Sequence, residues 1–239
     1  MLQLASASPI ARADSLYFAG NPVAALATCD DTASAGGDSA ALEWRAARSL
    51  IAMGMAIPDG ERRRALYDTA LTHARRARTL APSDFDARYW LAAAAGRRAH
   101  RSDPIYSAHL AQEVYEQASA ILAIDSTHAG AHHMLGKLHL AVLRIPRLLR
   151  AVIGRMVGNG VLRRANEADA ERHLRRAAEL EPQTMVFLVD LAAFYARKGE
   201  RGEVAVLARR IAAAPSRHPM DETLRREFLE TFRATSGQH

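Results

Sequence analysis

The chain has 239 residues, 49% of them hydrophobic and 24% charged, which is enough apolar surface for a folded core. The net charge is +6, but 26 acidic residues are mixed among 32 basic ones. That mixture describes solvated helix faces, not the one-sided basic patch or aromatic–basic platform of a nucleic-acid binder. Cys29 is the only cysteine, so a disulfide framework and a multi-cysteine zinc site are excluded within one chain. No uncharged apolar run approaches the ~18 residues of a membrane span.

Alanine and leucine are abundant and β-branched runs are missing, a bias toward helix. In chain order, the first stretch, MLQLASASPIARADSLYFAG, carries Ala11-Arg12-Ala13 just before Asp14. This has the form of an A-x-A cleavage site without a basic region before it. It reads as the remnant of an export signal truncated at Ala13, giving an exported or periplasmic protein, or as a plain helix lead-in to a cytoplasmic one. Residues 1–35 read as a degenerate first helix pair and DDTASAGGDS, 30–40, as a loop.

From 41 to 234 three segments rhyme: THARRARTLAPSD, QASAILAIDST and RHLRRAAELEPQT. Each is a helical stretch closing on Leu or Ile, then a turn, then a second helix with small residues at its centre. Pro82 and Pro182 fall where one helix has stopped and the next is starting. Ala70, Ala74, Ala77 and Pro82, and again Ala170, Leu174, Ala177 and Pro182, follow the second-helix spacing of the tetratricopeptide repeat. Leu135 and Gly136 follow its first helix, as do Leu188, Leu191, Ala192 and Tyr195, with Gly199 as the stop. Small residues every three or four positions let helix backbones approach, and large ones fill the gaps. The predicted fold is all-α: a single tetratricopeptide-like α-solenoid domain over 1–239, of about ten helices in antiparallel pairs. Uneven repeat spacing places insertions near 55–62 and 144–162, and a last helix is expected over 219–234 with Asp221 as its cap.

The run THAGAHHMLGKLHL crowds His128, His132, His133 and His139 together, with His128 at a helix start beside the capping candidates Ser126 and Thr127. In the repeat register His132 and His139 take core positions, while His133 and Lys137 line the concave face. His128 and His132 form an i, i+4 pair of the kind that chelates zinc, but no H-E-x-x-H carboxylate and no third ligand accompany them. No metal or cofactor is expected, and neither a P-loop, a G-x-G-x-x-G nor a G-x-S-x-G is present. Asp84 and Asp86 read as a helix start, and Trp44 and Trp90 as core residues or groove edges.

RIPRLLRAVIGRMVG, 144–158, is the least repeat-like stretch. Ile145, Leu148, Leu149, Val152, Ile153, Met156 and Val157 form an apolar stripe among Arg144, Arg147, Arg150 and Arg155. Two readings stand: a helix packed across the solenoid that closes part of its concave face, or a basic amphipathic helix meeting anionic lipid or a partner helix.

ALEWRAARSL, YDTALTHARRARTLAPSD, AHHMLGKLHL with the insertion after it, and AERHLRRAAELEP together resemble the regulator of microtubule dynamics family, over about 41–230. The resemblance implies an all-helical repeat domain without catalysis. It also implies links, in animal members, to microtubules, to contacts between endoplasmic reticulum and mitochondria, and to phospholipid. The arginine-rich, lysine-poor composition suggests a bacterial-type member. The family lends no functional residue to carry over.

The expected function is a non-enzymatic scaffold that binds a protein or peptide on its concave face, through Arg45, Ser49, Tyr89, His133, Lys137 and Val189. The rival is a lipid carrier in which Leu149, Ile153 and Met156 wall a cavity and Arg147 or Arg150 meets a phosphate. An enzyme would need His132 or His139 in a pocket beside a carboxylate.

Overall fold

The computed structural model describes residues 7–34, 39–100, 102–157 and 160–236, and its regular structure there is entirely helical. The first helices are α1 (Pro9–Phe18), α2 (Pro22–Ser34), α3 (Ala40–Ala56), α4 (Gly60–Leu80) and α5 (Phe85–Ala99). Next come α6 (Pro104–Ile124), α7 (Ala129–Leu143), α8 (Arg147–Met156) and α9 (Gly160–Arg164). The last are α10 (Glu167–Leu180), α11 (Met185–Lys198), α12 (Arg201–Ala213) and α13 (Asp221–Ser236). Thirteen helices among the described residues exceed the predicted ten chiefly because the second insertion holds two, α8 and α9.

Most helices begin where the chain supplies an oxygen for the exposed N–H groups of a first turn. Ser8, Ser39, Asp59, Asp103 and Asn166 each accept from a backbone N–H two or three residues on. Asp84 does the same for α5, accepting from Ala87 N at 2.7 Å. Pro9 and Pro104 occupy first-turn positions, where no N–H is needed. Gly199 ends α11 at φ 77°, a left-handed conformation that glycine adopts without a Cβ clash.

Three local expectations are corrected. Residues 30–34 are helical and not a loop: the Thr28 and Thr32 hydroxyls donate to the carbonyls four residues back, so a polar stretch finishes α2. Residues 35–38 of that expected loop lie outside the described residues. His128, not Ser126 or Thr127, caps α7, its Nδ1 accepting from Ala131 N at 3.1 Å. Asp221 does not cap α13; its Oδ2 accepts from the N–H groups of Arg217 and His218 and fixes the turn before the helix.

The chain divides into two compact units, 1–98 and 99–239. In the first, α1–α2 and α3–α4 are antiparallel hairpins lying side by side. Ala70, Ala74 and Ala77 are completely buried at the α3–α4 seam. Glu43 of α3, buried there, accepts from His73 at 2.7 Å and pairs with Arg76 at 3.1 Å, both on α4. Trp44 stacks on Trp90 with ring centroids 6.4 Å apart and joins the core with Ala77 and Ala87.

In the second unit the principal hairpin is α7 with α10, although α8 and α9 intervene in sequence. Their seam is close: a Cβ on Gly136 would lie 2.7 Å from Leu174 Cγ and 3.1 Å from Leu174 N. Ala170, Leu174 and Ala177 are fully buried against it. The α11–α12 hairpin continues the stack, and α13 lays Leu224, Phe228 and Phe232 on the same core. These hairpins with small residues at their crossings are the tetratricopeptide-like architecture read from the sequence.

Candidate functional site

α7 and α11 are the first helices of successive hairpins, and their facing sides gather three of the predicted residues around one that was not predicted. α11 is apolar along MVFLVDLAAFY, and its Phe187, Leu188, Leu191 and Phe194 are buried. Asp190 therefore enters the seam as a charge and needs partners there. Its Oδ2 accepts from His133 Nε2 at 2.7 Å and its Oδ1 from Lys137 Nζ at 2.5 Å. The two donors are i, i+4 on α7 and so share one face. Burial pushes the Asp190 carboxyl up, but His133 and Lys137 together outweigh it and hold the group well below the usual carboxylate range. The His133 ring also lies against Phe187, centroids 4.7 Å apart. Lys137 keeps 49% of its side chain exposed, and Val189, next to Asp190, is half-buried on the core.

In the first unit the nominated residues separate. Arg45 grips Asp14 with two bonds, Nε to Oδ1 at 2.9 Å and Nη2 to Oδ2 at 2.7 Å, and its guanidinium covers the Trp44 ring at 3.8 Å. Arg48 meets the same carboxylate at 2.6 Å, so Asp14 ties α1 to α3. Burial acts to raise Asp14, and the two guanidiniums lower it below the ordinary value. Ser49 is wholly buried, out of a ligand's reach. Tyr89 is half-buried, edge-on to Trp90 at 5.1 Å.

The other histidines form a second cluster on the α7–α10 seam, completed by His173, which the sequence did not single out. His132 Nδ1 and His173 Nδ1 lie 2.8 Å apart, and His132 Nε2 donates to Ser126 O at 3.0 Å. With a proton on Nε2 of His132, its Nδ1 and that of His173 share one hydrogen bond. His139 Nδ1 accepts from Asn166 N at 3.2 Å, and its ring lies 6.1 Å from that of His173. Burial, then the neighbouring His132 and Arg172, push His173 down to about 4. Burial lowers His139 as well. The imidazoles bond one another and the backbone, and among the described residues no three His, Cys, Asp or Glu side chains are placed to hold a metal ion.

In the insertion, α8 turns Ile153 and Gly154 inward and half-buries Arg150. Arg147, Leu149 and Met156 are exposed, as are Leu148 and Val152, so most of the apolar stripe faces away from the unit and does not pack across it. The physical reason is the partner surface: α6 and α9 touch α8 along one side only. Ile153 is thus apart from Leu149 and Met156, with which it was expected to wall a cavity. A cavity of about 140 Å³ lies in this unit between α10, α11 and α12, with Arg175, Glu179, Glu203 and Arg210 in its walls.

Asp190 and His173 escaped the sequence reading because their partners are far along the chain. A lone carboxylate in the apolar run of α11 was the available signal for the first. An imidazole beside the small-residue row of α10 was the signal for the second.

A family model described as regulator of microtubule dynamics protein 1-3 matches residues 10–236. Among solved structures, a thermophilic TPR protein of Thermus thermophilus superimposes with a TM-score of 0.61 at 18% identity, covering 93% of this chain and 96% of that one. MamA is similar at a TM-score of 0.43 and 13% identity, covering 94% and 96%. No curated protein sequence matches the chain significantly.

Proposed function

Since the chain belongs to the regulator of microtubule dynamics family, we propose that it is a non-enzymatic tetratricopeptide-type scaffold binding an extended segment of a partner protein. The binding face is the α7–α11 side of the second unit. The observation that carries this reading is the triad of Lys137, His133 and Asp190 on two rigid helices. The Lys137 ammonium is half in water and already oriented by a carboxylate. A ligand carboxylate can join or replace Asp190 there, while Val189 offers an apolar contact beside it. A cavity of about 140 Å³ between α10, α11 and α12, with two arginines and two glutamates in its walls, is smaller and more charged than the mostly apolar pockets of about 300–1,000 Å³ that hold small molecules, which favours a peptide over an acyl chain there.

The test is fluorescence anisotropy of labelled short peptides with acidic C-termini, titrated with the full chain. Saturable binding that Lys137→Glu abolishes, with helical content and a cooperative melt retained, is the expected result. Peptide binding that ignores Lys137→Glu, or no binding at all, rejects this face. Native mass spectrometry of the purified protein supplies the other arm: a stoichiometric phospholipid inside the fold would replace the peptide reading with the carrier one.

A further inference from the structure

We propose that α8 is a docking surface for an anionic phospholipid membrane, lying flat in the interface with Leu148, Leu149, Val152 and Met156 among the acyl chains. It uses a different face from the peptide reading and does not depend on it.

The first observation is exposure. Leu148 is 79% exposed, Met156 67%, Val152 49% and Leu149 42%, on a helix that buries only Ile153 and Gly154. Four large apolar side chains displayed on one short helix form a patch, not scattered surface residues. The second is geometry. Leu148, Val152 and Met156 make one i, i+4 row, and Arg147, Ala151 and Arg155 make the row beside it. An apolar ridge with guanidiniums along its edge is what an interfacial helix presents: the ridge enters the acyl boundary and the arginines reach up to phosphate.

The third is charge. Between Asp125 and Glu167 the sequence contains no acidic residue, whereas Arg144, Arg147, Arg150, Arg155, Arg163 and Arg164 lie within or beside the insertion. Among the described residues none of these six pairs with a carboxylate. A field of one sign flanking an apolar ridge complements an extended negative plane. At ten residues, about 15 Å, α8 is too short to cross a bilayer, and it is held from behind by α6 and α9. It is therefore already folded when it meets the surface.

The test is sedimentation of the full chain with vesicles of phosphatidylcholine alone and with vesicles containing a quarter phosphatidylglycerol. Binding to the anionic vesicles only, weakened at high salt, is the expected result. The double variants Leu148→Ser/Met156→Ser and Arg147→Gln/Arg155→Gln should each bind roughly tenfold more weakly, because each removes one of the two attractions. Their melting curves should match the parent, since all four side chains are exposed. Cys29 is buried and its thiol is pushed up to about 11, so Val152→Cys can be labelled selectively with an environment-sensitive dye. Its emission should shift to the blue on anionic vesicles. Lys137→Ala, which disables the proposed peptide site, should leave vesicle binding within about twofold. Failure to sediment, equal binding to neutral vesicles, or indifference to both double variants would overturn the proposal. So would a dimer, seen by light scattering, that Leu148→Ser/Met156→Ser splits, because the ridge would then belong to a second copy.

Discussion

Helices α10 and α8 are both strongly amphipathic, yet α10 buries its apolar row and α8 displays its own. In α10 the row is Ala170, Leu174 and Ala177, two small residues flanking a leucine that packs onto Gly136 of α7. Its polar face is paired: Asp169 meets Arg172 at 2.5 Å and Glu171 meets Lys198 at 3.0 Å. In α8 the row is made of large side chains only, and its arginines have no acidic partners among the described residues. Periodicity tells a helix which side is apolar. The sizes along that side, and the charges beside it, tell whether another helix of the same chain is meant to cover it.

The largest expected effect lies at the α7–α10 crossing. Leu174→Ala should cost about 3 kcal/mol in urea denaturation, because the crossing at Gly136 leaves the hole unfilled. A cost under about 1 kcal/mol would mean that the seam is loose. Asp190→Ala comes next, at about 1–2 kcal/mol: His133 loses its acceptor, while half-exposed Lys137 recovers water. Denaturation at pH 7 measures it, and Lys137→Ala alone should cost less.

The acid response of the α7–α10 seam sharpens the contrast. The folded His173 value, about 4, is depressed below that of the unfolded chain, about 6.5, so unfolding takes up a proton between them. Its contribution is complete above about pH 6.5 and is lost as the pH falls toward 4, amounting to about 1–2 kcal/mol at pH 5. Asp190, also depressed, behaves differently: its contribution persists at pH 5 and disappears only below about 4, as the carboxylate is protonated. Urea midpoints at pH 7 and pH 5 for the parent and His173→Gln test this, the variant being the flatter. The smallest effect belongs to α8. Leu148→Ser should change stability by less than about 0.5 kcal/mol in the same assay, since the side chain touches little.

The hairpins were legible because their crossings need particular residues at fixed spacing. Ala70, Ala74 and Ala77 sit at one seam, Gly136 with Ala170, Leu174 and Ala177 at another, and Gly199 stops a helix, as their pattern said. The amphipathic character of the insertion was equally legible, but not the direction of its stripe, which depends on how far α6 and α9 reach. The candidate site was read in halves. Lys137 and His133 were found by register, but Asp190, which joins them, lies 53 and 57 positions away. Position along a helix also could not distinguish Ser49, enclosed by α3's neighbours, from a residue at the lip of a groove.

One hairpin differs from the others in how it must close. α7 and α10 are joined through the whole stretch that contains α8 and α9, whereas α3 and α4 are joined across residues 57–59. Bringing the ends of the longer connection together costs about 1.8 kcal/mol more chain entropy, at ~0.6 kcal/mol for each doubling of length. Hairpins such as α3–α4 and α11–α12 are therefore expected to close before the seam at Gly136, because their contacts are local. The same arithmetic makes the stretch between Leu143 and Glu167 the place where this architecture gains or loses length at least thermodynamic cost.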